Sequence, residues 1–410
     1  MSVILTIIPY AFYPPQNGGS LRCFYLIREL ARKHNIYLLT VQPATDFPGD
    51  GEPAFPKNVT IISLYNAPGY KSLLNWLPGR LGDAINFRIL QKTFRTSTNS
   101  YFLQAYPSLL KGLKALKPNL VIYENLEAVG FFSSIIRRQL PTAMQVYDAH
   151  NIDSELWKQL AAAEDNPVFK TYAANALLAE THLYKRVDAF CCCSEADWEK
   201  LFALNQGRLP GFTIPNGVDT DAKPFDYNPL KHSKKEILFC GSLDYYPNEE
   251  GLIWFYEHVF PLIKKAIPEV LLTLVGASSR NEKNQRLLDD PSVHVAGRVA
   301  DVQPFYYRAG PCIAPLLIGS GTRLKILEAM SFGNPVVSTC IGAAGIAAEH
   351  GNHILIAADA NDFAKQLLAL MQDKNLFEKT RQNARQLVSS VYDWKVIGSK
   401  LDKHFKSISF

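Results

Sequence analysis

Residues 314–338 read Ala314-Pro-Leu-Leu-Ile-Gly-Ser-Gly-Thr-Arg-Leu-Lys-Ile-Leu-Glu-Ala-Met-Ser-Phe-Gly-Asn-Pro-Val-Val-Ser338. An apolar run is followed by a turn of small residues, by helix-forming sequence and by a second apolar run, which predicts a strand, a turn, a helix and a strand in succession. Gly319, Ser320 and Gly321 let backbone N–H groups approach an anion closely where the helix begins. The stretch therefore predicts α/β structure with a site for a diphosphate.

Three charged side chains follow this turn. Arg323 and Lys325 place two cations in the first turn of the predicted helix, where they oppose the helix dipole unless an anion compensates them. Glu328 lies one turn further on, and its carboxylate is expected to accept hydrogen bonds from a sugar hydroxyl. The alternative is an ion pair between Glu328 and Lys325, three residues away. Cations for phosphates and a carboxylate for a sugar indicate a nucleotide ligand.

The 410 residues are too many for one compact core, so two domains are expected. Short β-rich runs alternate with helix-forming sequence through residues 1–215 and again from residue 236 onward. This predicts the α/β class, with two Rossmann-like, doubly wound parallel sheets facing each other across a cleft. Residues 214–235, rich in Pro, Asn, Asp and Lys, are predicted to form the linker. The domains are therefore predicted at 1–215 and 216–392.

The cysteines and the apolar runs bear on the compartment. None of the seven cysteines forms a C-x-x-C pair, so we expect buried, reduced thiols of a cytoplasmic protein. Residues 191–193 are three cysteines in a row, and adjacent strand residues point to opposite faces, so they cannot converge on one metal ion. The apolar run before Pro9 has no basic residue ahead of it and is expected to be a strand. No 18 consecutive apolar residues occur, and the protein is expected to be soluble or peripheral.

Net charge is +5, and its distribution is uneven. Residues 57–117 contain nine Lys or Arg and one acid, Asp83, interleaved with aromatic and leucine side chains. One interpretation is an amphipathic helix on the anionic inner face of the plasma membrane. The other, which we favour, is a helical insertion whose aromatic side chains pack on the core. Nucleic-acid binding is disfavoured because the rest of the chain is nearly neutral and carries no recognition motif.

Several nucleotide motifs are absent from the sequence. No G-x-x-x-x-G-K-[ST] occurs, and the segment from Gly319 to Leu324 lacks the final Gly or Ala of a dinucleotide fingerprint, so a P-loop and NAD are disfavoured. The pair Asp219 and Asp221 could chelate a divalent ion. Because it falls in the predicted linker, a turn role is preferred. No metal or other cofactor is expected.

A second glycine turn precedes the first helix of the chain. Asn17, Gly18 and Gly19 come directly before Ser20, which is predicted to be the N-cap. This turn is a second candidate contact for an anion or a sugar ring.

Five segments carry a family resemblance. They are Phe239-Cys-Gly-Ser-Leu-Asp-Tyr-Tyr-Pro-Asn248, Gly297-Arg-Val-Ala-Asp-Val302, residues 314–337, Tyr147-Asp-Ala-His-Asn151 and Tyr392-Asp-Trp394. Together they resemble the retaining GT-B glycosyltransferases of family 4, and among them the sugar transferases of bacterial exopolysaccharide and lipopolysaccharide assembly. The resemblance implies a nucleotide-sugar donor, UDP- or GDP-hexose, held by the C-terminal domain. It also implies a C-terminal helix, about 393–410, that returns to the N-terminal domain.

The chain departs from the family pattern at two places. The family has two glutamates separated by seven residues; Glu328 matches the second, but Ser320 stands at the first. The Arg and Lys that often follow the first strand of the C-terminal domain are replaced by Gly241-Ser242 and Asn248. Arg323 and Lys325 are placed to supply the missing positive charge.

The resemblance and the turn chemistry together assign a set of site residues. Arg323, Lys325, Glu328 and His150 are the candidate catalytic residues, and His150 is implied to face the reacting sugar. Its alternative is a cap on the following helix, together with Asn151 or Asp153. The candidate donor-binding residues are Gly18, Gly19, Gly241, Ser242, Arg298, Val299, Ser320, Gly321, Thr322 and Leu324.

The expected reaction is transfer of a hexose, with retention of anomeric configuration, to a saccharide or a lipid-linked oligosaccharide. Stabilising the leaving diphosphate is the principal task, because that is where negative charge develops. No pair of carboxylates is placed by the sequence for a covalent intermediate. Two alternatives stay open: a nucleotide-sugar epimerase or hydrolase of the same architecture, and a non-catalytic nucleotide-sugar-binding subunit of a polysaccharide assembly complex.

Overall fold

A computed structural model of the protein describes residues 1–47, 55–64, 107–164, 167–225, 233, 235–319 and 323–409. The chain forms two compact units. Unit 1 comprises Met1–Pro215 together with Ile397–Phe410, and unit 2 comprises Asn216–Val396.

Unit 1 contains a parallel sheet of seven strands in the order β3-β2-β1-β4-β5-β6-β7. The strands are β1 Val3–Ile8, β2 Asn35–Thr40, β3 Val59–Ser63, β4 Leu120–Glu124, β5 Met144–Ala149, β6 Ala189–Cys192 and β7 Gly211–Thr213. The helices are α1 Gly18–Ala31, α2 Pro107–Leu116, α3 Leu126–Gln139, α4 Asp153–Glu164, α5 Pro167–Glu180 and α6 Glu195–Leu204.

The central strands of this sheet are buried along their length. Every residue of β4 and β6 is buried, as expected for a parallel sheet covered by helices on both faces. Their apolar side chains join one core with α3, α6 and the end of β5. The short edge strand β7 was not predicted, because its three residues include Gly211 and carry no alternating pattern.

Unit 2 contains a parallel sheet of six strands in the order β10-β9-β8-β11-β12-β13. The strands are β8 Glu236–Cys240, β9 Leu271–Val275, β10 Val293–Gly297, β11 Cys312–Ala314, β12 Val336–Thr339 and β13 Leu355–Ala357. The helices are α7 Tyr246–Trp254, α8 Phe260–Ala266, α9 Gln285–Asp289, α10 Gln303–Arg308, α11 Leu324–Phe332, α12 Cys340–Ala343, α13 Ala360–Gln372, α14 Lys374–Leu387 and α15 Trp394–Ser409. From Ile397 onward, α15 belongs to unit 1. Two π-helical turns, Phe255–Val259 and Val388–Tyr392, follow α7 and α14. The prediction of two Rossmann-like parallel sheets is confirmed.

Residues 216–225 pack on unit 2, so the prediction of a linker over 214–235 is wrong for this part. Val218 pairs with Asp393 as a parallel bridge, and Arg385 donates hydrogen bonds to the carbonyl oxygens of Thr220 and Lys223. Val218 also joins the apolar core of unit 2, but a single apolar residue gives no periodic pattern, which is why the polar composition of the segment suggested a free connection. Asp219 accepts a hydrogen bond from the backbone of Ala222, the turn role that was preferred for it.

Helix α15 is anchored to unit 1 by a polar cluster at the end of α1. Asp402 lies 2.9 Å from Lys33 Nζ and 2.8 Å from His34 Nε2. Gly398 permits close packing, since a Cβ there would overlap the side chain of Glu29. These contacts fix the last helix on the N-terminal sheet unit.

All seven cysteines are free thiols; five are buried, Cys240 is partly buried and Cys340 is exposed. Cys191, Cys192 and Cys193 donate to different acceptors, so they do not converge. In the described part of the chain no helix is both long enough and apolar enough to cross a bilayer. Of the basic segment 57–117, residues 65–106 lie outside the described residues.

Candidate functional site

Helix α11 begins directly after Arg323, the residue at its N-cap position. Its side chains Ile326, Leu327 and Met330 are buried in the core of unit 2. It ends at Gly333, whose φ of 92° is a left-handed conformation that glycine adopts without strain. The chain enters from β11 and leaves into β12, so the predicted strand, helix and strand are confirmed in that order.

Lys325 is held at the carboxyl end of β8. Its Nζ donates to Asn248 Oδ1 at 2.6 Å and lies 4.4 Å from the centre of the Phe239 ring. Asn248 is itself fixed, because its Nδ2 donates to the Ser242 carbonyl at 2.7 Å. A Cβ at Gly241 would lie 3.0 Å from Lys325 Nζ, so the glycine leaves the space that the ammonium needs. The predicted residues Gly241, Ser242 and Lys325 are therefore brought together.

Arg323 and Lys325 lie close enough to influence each other's charge. Burial and then the positive charge of Arg323 lower the pKa of Lys325 to about 7. A Cβ at Gly319 would lie 2.6 Å from Arg323 Nη2, so the guanidinium lies over the backbone at this position. The φ of 129° at Gly319 also favours glycine. The start of α11 thus carries two neighbouring basic side chains where the helix dipole is positive, an arrangement that suits an anionic ligand.

Glu328 does not pair with Lys325, so the alternative interpretation of Glu328 is wrong. Its carboxylate accepts a hydrogen bond from Tyr306 Oη at 3.1 Å and forms an ion pair with Lys223. The side chain of Glu328 remains 22% exposed. Lys325 is bound to Asn248 instead. Glu328 is therefore oriented by two neighbours and keeps part of its surface open to a ligand.

The other predicted donor-binding residues differ in their exposure to solvent. Arg298 is exposed after β10, and Val299 packs on the apolar cluster around Tyr306. Leu324, the first residue of α11, packs on the same cluster. Ser320, Gly321 and Thr322 lie outside the described residues.

The glycine turn of unit 1 forms the start of α1. The helix begins at Gly18, and its N-cap is Asn17; the prediction of Ser20 is wrong. Asn17 Oδ1 accepts from the Ser20 backbone N–H at 3.0 Å, and Ser20 Oγ accepts from the Asn17 N–H at 2.9 Å. This reciprocal capping box gives the asparagine the first position. Gly19 faces His150, because a Cβ at Gly19 would lie 3.1 Å from His150 Nδ1.

His150 follows β5, and Glu124 ends the neighbouring strand β4. His150 Nε2 lies 3.0 Å from Glu124 Oε2 and 3.8 Å from Asp148 Oδ2. The alternative role of His150 as a helix cap is not observed: Glu180 accepts from the backbone N–H of Asp153, at the start of α4, at 2.7 Å. The sequence therefore brings His150 and the Gly18-Gly19 turn together, as a site at the carboxyl ends of the strands of unit 1.

The two acids close to His150, Asp148 and Glu124, differ in the groups that compensate their charge. Asp148 is bound in bidentate fashion by Arg22, whose Nε and Nη2 lie 2.8 Å and 2.6 Å from its oxygens. Burial raises the pKa of Asp148, but the Arg22 guanidinium outweighs this and holds it below the ordinary value. Burial and the negative charge of Asp148 raise the pKa of Glu124. Hence the charge of Asp148 is stabilised by its pairing with Arg22. The charge of Glu124 is stabilised by the hydrogen bonds that its carboxylate accepts.

Cys23, Glu124 and His150 are residue types that bind metals, and one candidate ligand atom from each lies within 4.8 Å of the others. Burial and the nearby Glu124 carboxylate raise the pKa of the Cys23 thiol well above its ordinary value. A metal needs the thiolate, which this environment disfavours. We therefore interpret the cluster as a hydrogen-bonded group.

Four residues of the two sites were missed from the sequence as ligand-facing or orienting groups: Glu124, Tyr306, Lys223 and Asn248. Glu124 could have been found, since it ends a strand predicted next to the strand of His150. Lys223 was hidden in the predicted linker. Tyr306 gave no signal, because a tyrosine on a short helix usually packs in the core.

Residues 234–373 match the family model described as glycosyl transferases group 1. A Klebsiella pneumoniae relative named as an uncharacterized 44.6 kDa protein in the cps region is 26% identical over 292 residues, which are 68% of this chain and 73% of the relative.

Two solved structures share the fold over the whole chain. The sucrose-phosphate synthase of Thermosynechococcus elongatus has a TM-score of 0.72 at 16% identity, covering 100% of this chain and 99% of that one. HepE of Anabaena, in complex with UDP and glucose, has a TM-score of 0.69 at 16% identity, with 100% of both chains covered. Residues 234–373 are therefore similar to group 1 glycosyl transferases, and the chain has the GT-B fold.

Proposed function

We propose that the protein is a retaining hexosyltransferase of family 4 that uses UDP- or GDP-hexose in bacterial exopolysaccharide or lipopolysaccharide biosynthesis. The acceptor is a growing glycan or a lipid-linked oligosaccharide, and the enzyme acts in the cytoplasm. The observation that carries the proposal is the cation pair at the start of α11, with Lys325 fixed by Asn248. The group 1 match and the cps-region relative support the same assignment.

In this proposal the donor diphosphate lies against the N-terminus of α11. Negative charge develops on it as the bond to the anomeric carbon breaks, and Arg323, Lys325 and the helix dipole stabilise that charge. Glu328, oriented by Tyr306, accepts hydrogen bonds from a sugar hydroxyl of the donor. The acceptor hydroxyl attacks from the face of the leaving group and gives its proton to the leaving phosphate, which retains the configuration.

We further propose that no metal takes part in the transfer. The positive charge of Arg323 and Lys325 performs the neutralisation that a divalent cation performs in other diphosphate sites. Transfer is therefore expected to continue in excess chelator, with the rate unchanged by added magnesium or manganese.

A donor screen tests the proposal. UDP-glucose, GDP-mannose and related donors are tested for thermal stabilisation and for turnover, with the anomeric configuration of the product read by NMR. A donor at about 100 times its Kd should add roughly 2.7 kcal/mol to the free energy of unfolding. Consumption of the donor without acceptor would indicate a hydrolase or epimerase. Tight binding without turnover on any acceptor would indicate a binding subunit.

Replacing Arg323 with alanine is expected to weaken donor binding at least tenfold. A charge-assisted hydrogen bond to phosphate contributes about 1.5 to 3 kcal/mol, which the alanine variant loses. Isothermal titration with the donor found in the screen measures the change. Arg280→Ala is a suitable control, since Arg280 is an exposed residue of the same unit paired with Asp289. Equal affinities of wild type and R323A would contradict the assignment.

Donor affinity is expected to fall about tenfold as pH rises from 6 to 8. In the free protein the pKa of Lys325 is about 7. A bound diphosphate favours the ammonium form, so binding takes up a proton above pH 7 and loses strength as Lys325 becomes neutral. Below pH 7 the ammonium is already present and the affinity levels off. Titrations with an intact nucleotide sugar measure this, and K325M should show a flat profile; a slope unchanged in K325M would assign the effect elsewhere.

A further inference from the structure

Three side chains form a hydrogen-bonded group around the carboxylate of Glu124. His150 and Cys23 contact the carboxylate directly, and Tyr10 contacts Cys23. His150 Nε2 lies 3.0 Å from Glu124 Oε2, and Cys23 Sγ lies 3.5 Å from the same oxygen. Tyr10 Oη lies 3.3 Å from Cys23 Sγ. Glu124 is 2% exposed as a residue, so these contacts, and not solvent, decide how its charge is compensated.

The direction of this chain of hydrogen bonds follows from the chemistry of its members. Burial raises the pKa of both the Tyr10 phenol and the Cys23 thiol, so both keep their protons. The thiol donates to Glu124, and the phenol donates to the sulfur. Both hydrogen bonds, from Tyr10 to Cys23 and from Cys23 to Glu124, therefore point toward the carboxylate.

The same reasoning applies to the imidazole. Glu124 Oε2 already accepts the hydrogen of the Cys23 thiol, and an ionised carboxylate only accepts hydrogen bonds, so the hydrogen between Glu124 and His150 is held by the ring nitrogen. Nε2 of His150 therefore carries hydrogen and donates to Glu124. Asp148 does not compete for it, because Arg22 already binds both of its oxygens.

With Nε2 engaged, the second ring nitrogen faces the glycine turn. A Cβ at Gly19 would lie 3.1 Å from His150 Nδ1, so the absence of a side chain at Gly19 leaves that nitrogen accessible from the start of α1. In the neutral ring Nδ1 is a hydrogen-bond acceptor, the group that can receive a sugar hydroxyl.

We propose that Glu124 is a positioning residue that fixes the proton of His150 on Nε2 and leaves Nδ1 as the acceptor for a hydroxyl of the reacting sugar. The part that concerns the sugar rests on the proposed function; the position of the proton does not. Glu124 acts through His150 and does not itself touch the substrate.

The position of the proton is tested by NMR of the full chain with nitrogen-15 in its histidines, at about pH 9, where an ordinary imidazole is neutral. The His150 resonances are assigned with His150→Gln. The wild type is expected to show one neutral form with hydrogen on Nε2, and Glu124→Gln a mixture of the two forms. Glu124→Asp, which keeps the negative charge, is expected to restore the single form. Hydrogen on Nδ1 in the wild type, or an unchanged spectrum in E124Q, would overturn the proposal.

Kinetics test the consequence for transfer. E124Q is expected to lower kcat by on the order of tenfold to a hundredfold, the loss typical of removing a carboxylate partner from a working histidine, with donor KM within about twofold of wild type. Glu127→Gln, an exposed residue in the first turn of α3, is the matched control and should leave kcat unchanged. A wild type without transfer on any donor would refute the proposed function, while the NMR result would still decide the position of the proton. Stoichiometric zinc binding that is lost in E124Q would overturn the proposal in favour of a metal site.

Discussion

Replacing Lys325 with methionine is expected to lower kcat for sugar transfer by about a hundredfold to a thousandfold, the usual cost of removing one preorganised group that stabilises transition-state charge. Methionine fills similar space beside Phe239, so the change removes the ammonium while keeping the packing. The geometry around Lys325 explains why the effect should be large. Its Nζ is held by Asn248 at 2.6 Å before any ligand arrives, so little reorganisation is needed during the reaction.

Initial rates at saturating donor measure this prediction. Lys365→Met provides the control, because Lys365 is an exposed residue of α13 in the same unit. An unchanged kcat in K325M, with the variant folded, would show that the leaving group is stabilised elsewhere.

Replacing Arg22 with methionine is expected to lower the free energy of unfolding of unit 1 by about 3 to 5 kcal/mol. Arg22 and Asp148 have side chains that are each 1% exposed, and Arg22 also donates to the Ile214 carbonyl at 2.9 Å. Without the guanidinium, Asp148 is a buried charge with its main partner removed. The loss of stability therefore comes as much from the unpaired, buried Asp148 as from the ion pair that is removed.

Urea unfolding followed by circular dichroism measures this change. Arg137→Met is the matched control: it breaks an ion pair with Asp188 on the same sheet unit, in which both side chains are more than a third exposed, and should cost at most about 1 kcal/mol. The double variant R22M/D148L should recover much of the lost stability, since it removes both charges. A loss in R22M no larger than in the control would show that the pair contributes little.

The fold could be predicted from the sequence because its signals are local. Buried parallel strands are continuous apolar runs, as in residues 120–123 of β4, and the sequence before α11 has closely spaced glycines that are visible over a few residues. These patterns depend on periodicity and on turn chemistry, which do not require knowledge of distant contacts.

The orienting contacts of the site could not be predicted in the same way, because they join distant parts of the chain. Lys223 and Glu328 are 105 residues apart, and Asn248 and Lys325 are 77 apart. Glu124 is an intermediate case, since its register opposite Asp148 follows once the strand order is known. Side-chain partners of this kind leave no trace in local composition. The sequence therefore offered Lys325 and Glu328 only each other as an alternative to a ligand, whereas their partners in the structure are Asn248 and Lys223.

The two neighbouring cations at the start of α11 have a consequence for protein engineering. Without a ligand their mutual repulsion and the helix dipole both oppose folding, so under the proposed function these two positions trade stability for activity. A selection for heat resistance alone would be expected to enrich neutral residues at positions 323 and 325 and to yield sturdier but inactive proteins. Any directed evolution of this enzyme therefore needs a turnover assay alongside the melting temperature.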